Sequence, residues 1–102
     1  MKEIQKQVDE WVSQYKLGYF KPLEILAVLT EEVGELAREI NHRFGPKQKK
    51  PTEETKEIGD EAAGILFALC CLANSLSIDL DEAFRRHMEK LRNRDDNRFE
   101  KR

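Results

Sequence analysis

The sequence contains little of what breaks helices, with five glycines and three prolines in 102 residues. These residues stand where the helical spacing of apolar residues is interrupted, which predicts an all-α chain. The sequence also lacks an excess of charge of one sign, because 18 Lys and Arg oppose 20 Asp and Glu for a net charge of -2. Generic nucleic-acid binding needs a basic surface, so we expect no nucleic-acid partner.

Long hydrophobic segments are scarce as well. Residues 1–11 alternate charged and apolar side chains, so neither a signal peptide nor a transit peptide is visible. Residues 62–73 form a continuous apolar run, but that run is too short to cross a bilayer and instead suits a helix enclosed by other helices. We therefore expect a cytoplasmic protein with no membrane partner.

Cysteine and histidine offer little chemistry. The two cysteines, Cys70 and Cys71, are adjacent in a helical run, point outward in different directions and cannot easily bridge each other. Buried thiols in a reducing cytoplasm are the expected state. His42 and His87 lack any metal-ligand spacing, and no Ser-His or Cys-His arrangement indicates a covalent mechanism.

The chain is long enough for a single domain over residues 1–102, with a charged tail at about 93–102. A monomer of this size buries only about two-thirds of its unfolded surface, so we expect a core that continues across a subunit interface in a homodimer or homotetramer.

Apolar residues at three- and four-residue steps predict four helices. The first contains Ile4 to Tyr15, the second runs from Pro22 to about His42, the third from an N-cap at Thr52 to about Leu76, and the fourth from a capping box of Asp79 and Glu82 to about Arg92. Residues 43–51 form a basic loop with two prolines.

Two acidic clusters lie at helical spacing. The second helix carries Glu31, Glu32 and Glu35, and the third carries Glu57, Asp60 and Glu61. Residues three or four apart share one helix face, so antiparallel packing of the two helices brings four or more carboxylates together. A divalent cation relieves their repulsion, and oxygen ligands favour Mg²⁺, with Mn²⁺ as an alternative.

Chance offers a second interpretation, because a highly charged sequence often places acids at helical spacing on a solvated face. Both clusters, however, interrupt apolar stretches: Glu32 and Glu35 flank Val33 and Leu36, and Glu61 adjoins the apolar run at 62–73. Half-buried acids need partners, which favours a functional cluster.

The segment from Leu29 to Ala37, the later acidic cluster and the run from Ile65 to Asn74 together resemble the MazG-type nucleotide pyrophosphohydrolases of the all-α NTP pyrophosphatase superfamily. The resemblance covers most of the chain. It implies a four-helix-bundle core completed by oligomerisation, and Mg²⁺-dependent hydrolysis of nucleoside triphosphates to the monophosphate and pyrophosphate.

The family motif, E-E-x-x-E followed by E-x-x-D, can be placed in two ways. Its first half matches the segment from Glu31 to Glu35, and its second half matches the local sequence at Glu57 and Asp60. Counting back from residues 77–80 instead puts the glutamate at Glu61 and the aspartate at Gly64. We prefer this second placement, because a one-turn insertion would rotate the whole downstream helix face.

Gly64 then leaves a metal ligand missing. Either Asp60 or Glu57 supplies a substitute oxygen, directly or through water, or the site binds metal weakly and catalysis is impaired. The resemblance also implies that Lys90 and Arg94 reach the substrate phosphates and that Asn74 lies near the substrate. From the residues alone, a solvated tail residue is the alternative for Arg94, and a hydrogen-bonding residue at the helix C-terminus is equally expected for Asn74. Trp11, Tyr19 and Phe20 suit either a stacked nucleobase or the core.

The sequence therefore predicts a nucleotide pyrophosphohydrolase that clears unwanted nucleotides. Glu32, Glu35 and Glu61, with help from Asp60 or Glu57, would hold the metal, and a water positioned by Glu31 would attack the α-phosphorus. The alternative is a catalytically weakened or inactive oligomer that binds a nucleotide or a protein partner, because Gly64 replaces the expected aspartate.

Overall fold

A computed structural model describes residues 1–46 and 57–102 of the chain. Within these ranges it consists of four helices and no strand: α1 over Lys2–Val12, α2 over Pro22–Phe44, α3 over Ile58–Ser75 and α4 over Leu80–Asp95. The all-α prediction is confirmed. The predicted N-cap at Thr52 lies outside the described residues, as does most of the predicted basic loop.

The ends of the helices follow local chemistry. Proline opens α2 at Pro22, where its missing N–H costs nothing. Asp79 caps α4 as predicted, because its carboxylate accepts hydrogen bonds from the backbone N–H groups of Asp81 and Glu82 at 2.9 and 3.3 Å. The predicted capping box is incomplete, since the Glu82 carboxylate binds Arg85 at 2.7 Å instead.

Three helix ends differ from the predicted ones. The predicted third helix passes through Glu57, but Glu57 has an extended backbone and is the N-cap residue of α3, which begins at Ile58. The first helix ends at Val12, short of Tyr15, because the chain there turns toward Gly18, which has a left-handed φ of 65°. The last helix continues past Arg92 to Asp95, where the Asp95 carboxylate binds Arg94 and Arg98.

The core lies along α3, which packs against α2 over most of its length and against α1 over a shorter stretch. Val8 and Val12 of α1 pack against Cys70 of α3. The Cys70 side chain has no exposed surface. Complete burial of such side chains stabilises a fold by about 1.5–3 kcal/mol each. The predicted role of α3 as the central element is therefore confirmed.

The same helix is not fully enclosed within one chain. Phe67 and Leu69 are 41% and 38% exposed, although α3 is apolar on every face. By length and composition α3 is the one described helix that could cross a membrane, a property it shares with core helices of soluble proteins. Its first turn carries Asp60 and Glu61.

The fourth helix contributes no buried residue to the chain, and Phe84 on it is 61% exposed. Its start is attached to α1, because the backbone N–H of Lys2 donates to the Asp81 carboxylate at 2.9 Å. Among the described residues, α1, α2 and α3 thus form the packed core, and α4 is joined to it at its start, where Leu80 packs against the buried cluster.

Candidate metal and nucleotide site

The acidic residues of α2 meet those of α3 because the two helices run antiparallel. Arg43 near the end of α2 lies 3.6 Å from Glu57 at the start of α3. Earlier in α2, Glu32 lies beside Gly64, which is further along α3. Residue numbers therefore fall along α2 as they rise along α3, as the acidic clusters required.

Three carboxylates converge between these helices. Glu32, Glu35 and Glu61 each offer one oxygen, and the three oxygens lie within 4.8 Å of one another. Glu32 and Glu35 are half-buried and Glu61 is only 5% exposed. The group brings together both acidic clusters predicted from the sequence, and we call it the acid group.

The electrostatics of the acid group favour a cation. Like charges a few ångströms apart repel strongly when partly removed from water, and burial of Glu61 adds a desolvation cost. Glu61 lies in the first turn of α3, where the helix dipole offsets part of its charge. Three oxygen ligands at this spacing could hold a metal ion, and they are of the type that hard divalent cations prefer.

Gly64 lies at the edge of the acid group. A Cβ built on this residue would be 2.5 Å from Oε2 of Glu32, so the Glu32 carboxylate occupies the space that a side chain at position 64 would enter. Position 64 thus faces the acid group one turn after Glu61, as the second placement of the family motif requires.

Asp60 and Glu57 lie elsewhere. Both are exposed, and within residues 1–46 and 57–102 neither belongs to a group of converging acids. Glu57 is the N-cap residue of α3 and pairs with Arg43. The structure does not bring either substitute ligand into the acid group.

The other predicted site residues are spread over the chain. Glu31 is exposed on α2, next to Glu32. Lys90 and Arg94 are exposed on α4, and the Arg94 guanidinium donates to Asp95 at 2.9 and 2.7 Å. Asn74 is near the C-terminal end of α3, far along the helix from the acid group, and binds Gln5 and Tyr19.

An apolar cavity of about 310 Å³ adjoins the acid group. Glu32, which lies beside Gly64, forms the acidic edge of the cavity, and the remaining wall is apolar or aromatic. Its lining includes all three aromatic residues considered for base stacking, Trp11, Tyr19 and Phe20. The Trp11 ring meets the Phe67 ring edge to face, with centroids 5.8 Å apart.

Sequence reasoning missed part of this site. Phe67 and Cys71 line the cavity, and they follow Gly64 at three and seven residues, so the helical period from Gly64 could have found them. Outside the acid group, Glu39 is a further buried acid of α2, only 4% exposed, and it follows Glu35 by four residues on the same helix face.

The thiols of the site are neutral. Burial raises the pKa of both Cys70 and Cys71, and the neighbouring thiol of Cys70 raises that of Cys71 further. Both cysteines are free, which confirms the prediction of unbridged thiols. The cavity wall at Cys71 therefore presents an uncharged surface.

Comparison with known proteins gives a consistent result. The family model described as MazG nucleotide pyrophosphohydrolase domain matches residues 20–99. The YpjD protein of Bacillus subtilis (strain 168) is 54% identical over 99 residues, covering 97% of this chain and 89% of YpjD.

Solved structures agree with this result. A crystal structure of B. subtilis YpjD matches with a TM-score of 0.79 at 56% identity, over 87% of this chain and 91% of that one. The Bacillus-conserved MazG protein, described as a nucleotide pyrophosphohydrolase, has a TM-score of 0.79 at 46% identity, over 92% and 90% of the two chains.

Proposed function

Because the chain belongs to the MazG nucleotide pyrophosphohydrolase family, we propose that it hydrolyses nucleoside triphosphates to the monophosphate and pyrophosphate in the cytoplasm, with Mg²⁺ as cofactor. Removal of unwanted nucleotides is the role that suits this reaction. The observation that carries the proposal is the acid group, with three carboxylate oxygens within 4.8 Å of one another beside an apolar cavity.

Glu32, Glu35 and Glu61 would hold the cation. Their oxygen-only donor set fits Mg²⁺, which binds a few carboxylates together with waters and substrate phosphates, and Mn²⁺ accepts the same ligands. When bound, the cation offsets the charge of the phosphate oxygens and of the departing pyrophosphate. With Asp60 and Glu57 outside the acid group, these three residues are the proposed ligands.

The cavity orients the nucleotide. A base stacked among the aromatic residues next to Glu32 places its triphosphate toward the acid group, because Glu32 belongs both to the cavity wall and to the acid group. Glu31, exposed one residue before Glu32, is the proposed residue that orients the attacking water. Attack at the α-phosphorus forms a new P–O bond and breaks the bond from the α-phosphorus to the oxygen that joins it to the β-phosphorus. That oxygen leaves with the pyrophosphate, and a carboxylate accepts the water proton.

Self-association completes the proposed site. The exposed aromatic rings of Phe67 on α3 and Phe84 on α4 are surfaces that a second copy would cover. Lys90 and Arg94 lie on α4, which packs little against the rest of its own chain, so we propose that they steady the phosphates across a subunit interface of a homodimer or homotetramer.

One observation favours a second candidate, a weakened or inactive member that only binds nucleotides. Gly64 supplies no oxygen at a position that faces Glu32, so the acid group has three carboxylates where the family motif has a fourth. Such a protein would bind a nucleotide in the cavity without turning it over.

Product analysis separates the two candidates. The protein is incubated with a panel of ribo- and deoxyribonucleoside triphosphates in ¹⁸O-labelled water, with Mg²⁺ or with EDTA. The proposed enzyme releases pyrophosphate and ¹⁸O-labelled monophosphate only with Mg²⁺. Binding without hydrolysis of any nucleotide in the panel supports the second candidate. Release of ¹⁸O-labelled orthophosphate would contradict attack at the α-phosphorus.

A further inference from the structure

Tyr19 forms part of the cavity wall, and its hydroxyl is held by two other residues. The hydroxyl donates to Oδ1 of Asp9 at 2.7 Å and accepts from Nδ2 of Asn74 at 3.0 Å. The ring packs against the buried cluster of Val8, Val12 and Cys70. With its polar atom fixed on Asp9 and Asn74, Tyr19 contributes its ring to the cavity.

Asn74 uses its whole side-chain amide within the chain. Its Nδ2 atom has two hydrogens, one donated to the Tyr19 hydroxyl and one to the backbone oxygen of Gln5 at 2.9 Å. Its Oδ1 atom accepts from Nε2 of Gln5 at 3.0 Å. No donor of Asn74 is left for a nucleotide.

Gln5 anchors this arrangement on the start of α4. Its Nε2 atom also donates to the backbone oxygen of Ile78 at 2.8 Å, and its Oε1 atom accepts from the backbone N–H of Leu80 at 2.9 Å. The hydrogen-bond chain from Leu80 to Tyr19 therefore joins α1, α3 and α4, and neither Gln5 nor Asn74 is part of the cavity lining.

We propose that Asn74 is a positioning residue for Tyr19, which it holds as a fixed aromatic wall for the base of the substrate, without touching the nucleotide itself. This inference rests on the proposed function, because it concerns the same cavity. It assigns Asn74 a role different from the direct substrate contact that the family resemblance implied. Loss of the Asn74 amide frees the Tyr19 ring to move, which weakens stacking but leaves the acid group unchanged.

Trp11 provides the measurement. It is the single tryptophan of the chain and lines the same cavity, so a stacked base should change its fluorescence. Binding is followed with Ca²⁺ in place of Mg²⁺, to slow turnover, for a deoxynucleoside triphosphate and for inorganic tripolyphosphate. Binding of tripolyphosphate, which has no base, is measured by its competition with the nucleotide.

Asn74→Ala and Tyr19→Phe are each expected to weaken nucleotide binding about 5–10-fold and to leave tripolyphosphate binding unchanged. Tyr19→Phe keeps the aromatic ring and removes the same hydrogen bond, so it replaces Asn74→Ala as the test if Asn74→Ala lowers the stability of the protein. Because both act on one wall, the double variant should lose no more than the weaker-binding single variant. Tyr15→Phe, which removes the other tyrosine hydroxyl, is the matched control and should bind like the wild type.

Three outcomes overturn the inference. Equal weakening for both ligands would indicate a structural or phosphate-binding role for Asn74, and additive losses in the double variant would separate Asn74 from Tyr19. Wild-type binding in both single variants would show that the wall needs no support. If the wild-type protein binds no nucleotide at all, the proposed function fails, and this inference fails with it.

Discussion

Gly64 occupies the position that the preferred placement of the family motif assigns to an aspartate. The carboxylate of Glu32 fills the space next to it, so any side chain at position 64 must displace the far end of a flexible glutamate. Such a displacement has little steric cost, and its effect depends on what the new side chain offers to a cation.

We expect Gly64→Ala and Gly64→Asp to have opposite effects on cation binding. Alanine displaces the Glu32 carboxylate and supplies no ligand, so Mn²⁺ affinity should fall several-fold. Aspartate adds a fourth carboxylate, so Mn²⁺ should bind more tightly and raise the melting temperature more than in the wild type. Isothermal calorimetry and thermal melts measure both. Equal affinity in all three proteins would show that position 64 does not influence the cation.

Tyr19 gives a prediction for pH. Burial and the hydrogen bond to Asp9 raise the pKa of Tyr19 to about 12, above its ordinary value of 10.0. Because the pKa of Tyr19 is higher in the folded than in the unfolded protein, Tyr19 contributes its full stabilisation below pH 10. This stabilisation is lost as the pH rises toward 12. The wild type should therefore exceed Tyr19→Phe in stability at pH 8, and the difference should shrink toward pH 12. Denaturant midpoints at both values measure it, and a pH-independent difference would contradict the assignment.

The acid group shows how far single residues could be predicted. Helical spacing and the family motif identified Glu32, Glu35 and Glu61, because residues on one helix face remain neighbours in any helical fold. Whether Asp60 or Glu57 supplies a further ligand needed the structure. It depends on the rotation of α3 against α2, which side-chain packing along the whole interface determines.

At the scale of the helices, the turns between them determine much of the architecture. The turn after α3 places Ser77 in the left-handed region, with φ at 55°. The backbone N–H of Ile78 reaches back to the oxygen of Ala73 at 2.7 Å, which closes the helix end in the manner that usually employs glycine. This turn also sets the direction in which α4 leaves the core.

Ser77→Gly should stabilise the protein by about 0.5–1 kcal/mol, because glycine adopts this conformation without the steric cost that serine bears. Chemical denaturation measures the change in the free energy of unfolding. Ser77→Ala is the control and should not stabilise, since alanine has the same Cβ. A gain with alanine would show that the left-handed conformation is not the cause.

Asp79→Ala should cost about 1 kcal/mol, because the N–H groups of Asp81 and Glu82 lose their acceptor. Asp79→Asn keeps an acceptor and should restore most of the loss. If both variants unfold at the same denaturant concentration as the wild type, the cap does not stabilise α4.

The number and order of the helices could be predicted because apolar spacing, proline and capping residues act locally. The early end of α1 and the length of α4 could not, since they depend on the left-handed backbone at Gly18 and on the ion pairs of Asp95, which helical spacing does not encode. The unpacked position of α4 also escaped prediction, because one sequence does not tell whether an apolar face is covered by its own chain or by another copy.

At the scale of the whole molecule, the exposed apolar surface supports the self-association that we propose. Phe84 on α4 is 61% exposed, and no residue of α4 is buried within the chain. We expect Phe84→Glu to dissociate the oligomer and to lower turnover, because Lys90 and Arg94 lose their place at the phosphates of the neighbouring subunit. Analytical ultracentrifugation measures the mass, and Arg86→Glu, an exposed charge change on the same helix, is the control. A monomeric, fully active wild type would contradict this arrangement.

We propose that carboxylates from α2 and α3 jointly hold the divalent cation that makes triphosphate cleavage possible. Mn²⁺ binding to the wild type, Glu61→Gln and Asp60→Asn, followed by electron paramagnetic resonance, tests this arrangement. We predict that the wild type and Asp60→Asn bind Mn²⁺ with similar affinity and that Glu61→Gln loses at least tenfold, about 1.4 kcal/mol. A wild type that binds no Mn²⁺, or a loss confined to Asp60→Asn, would contradict the account.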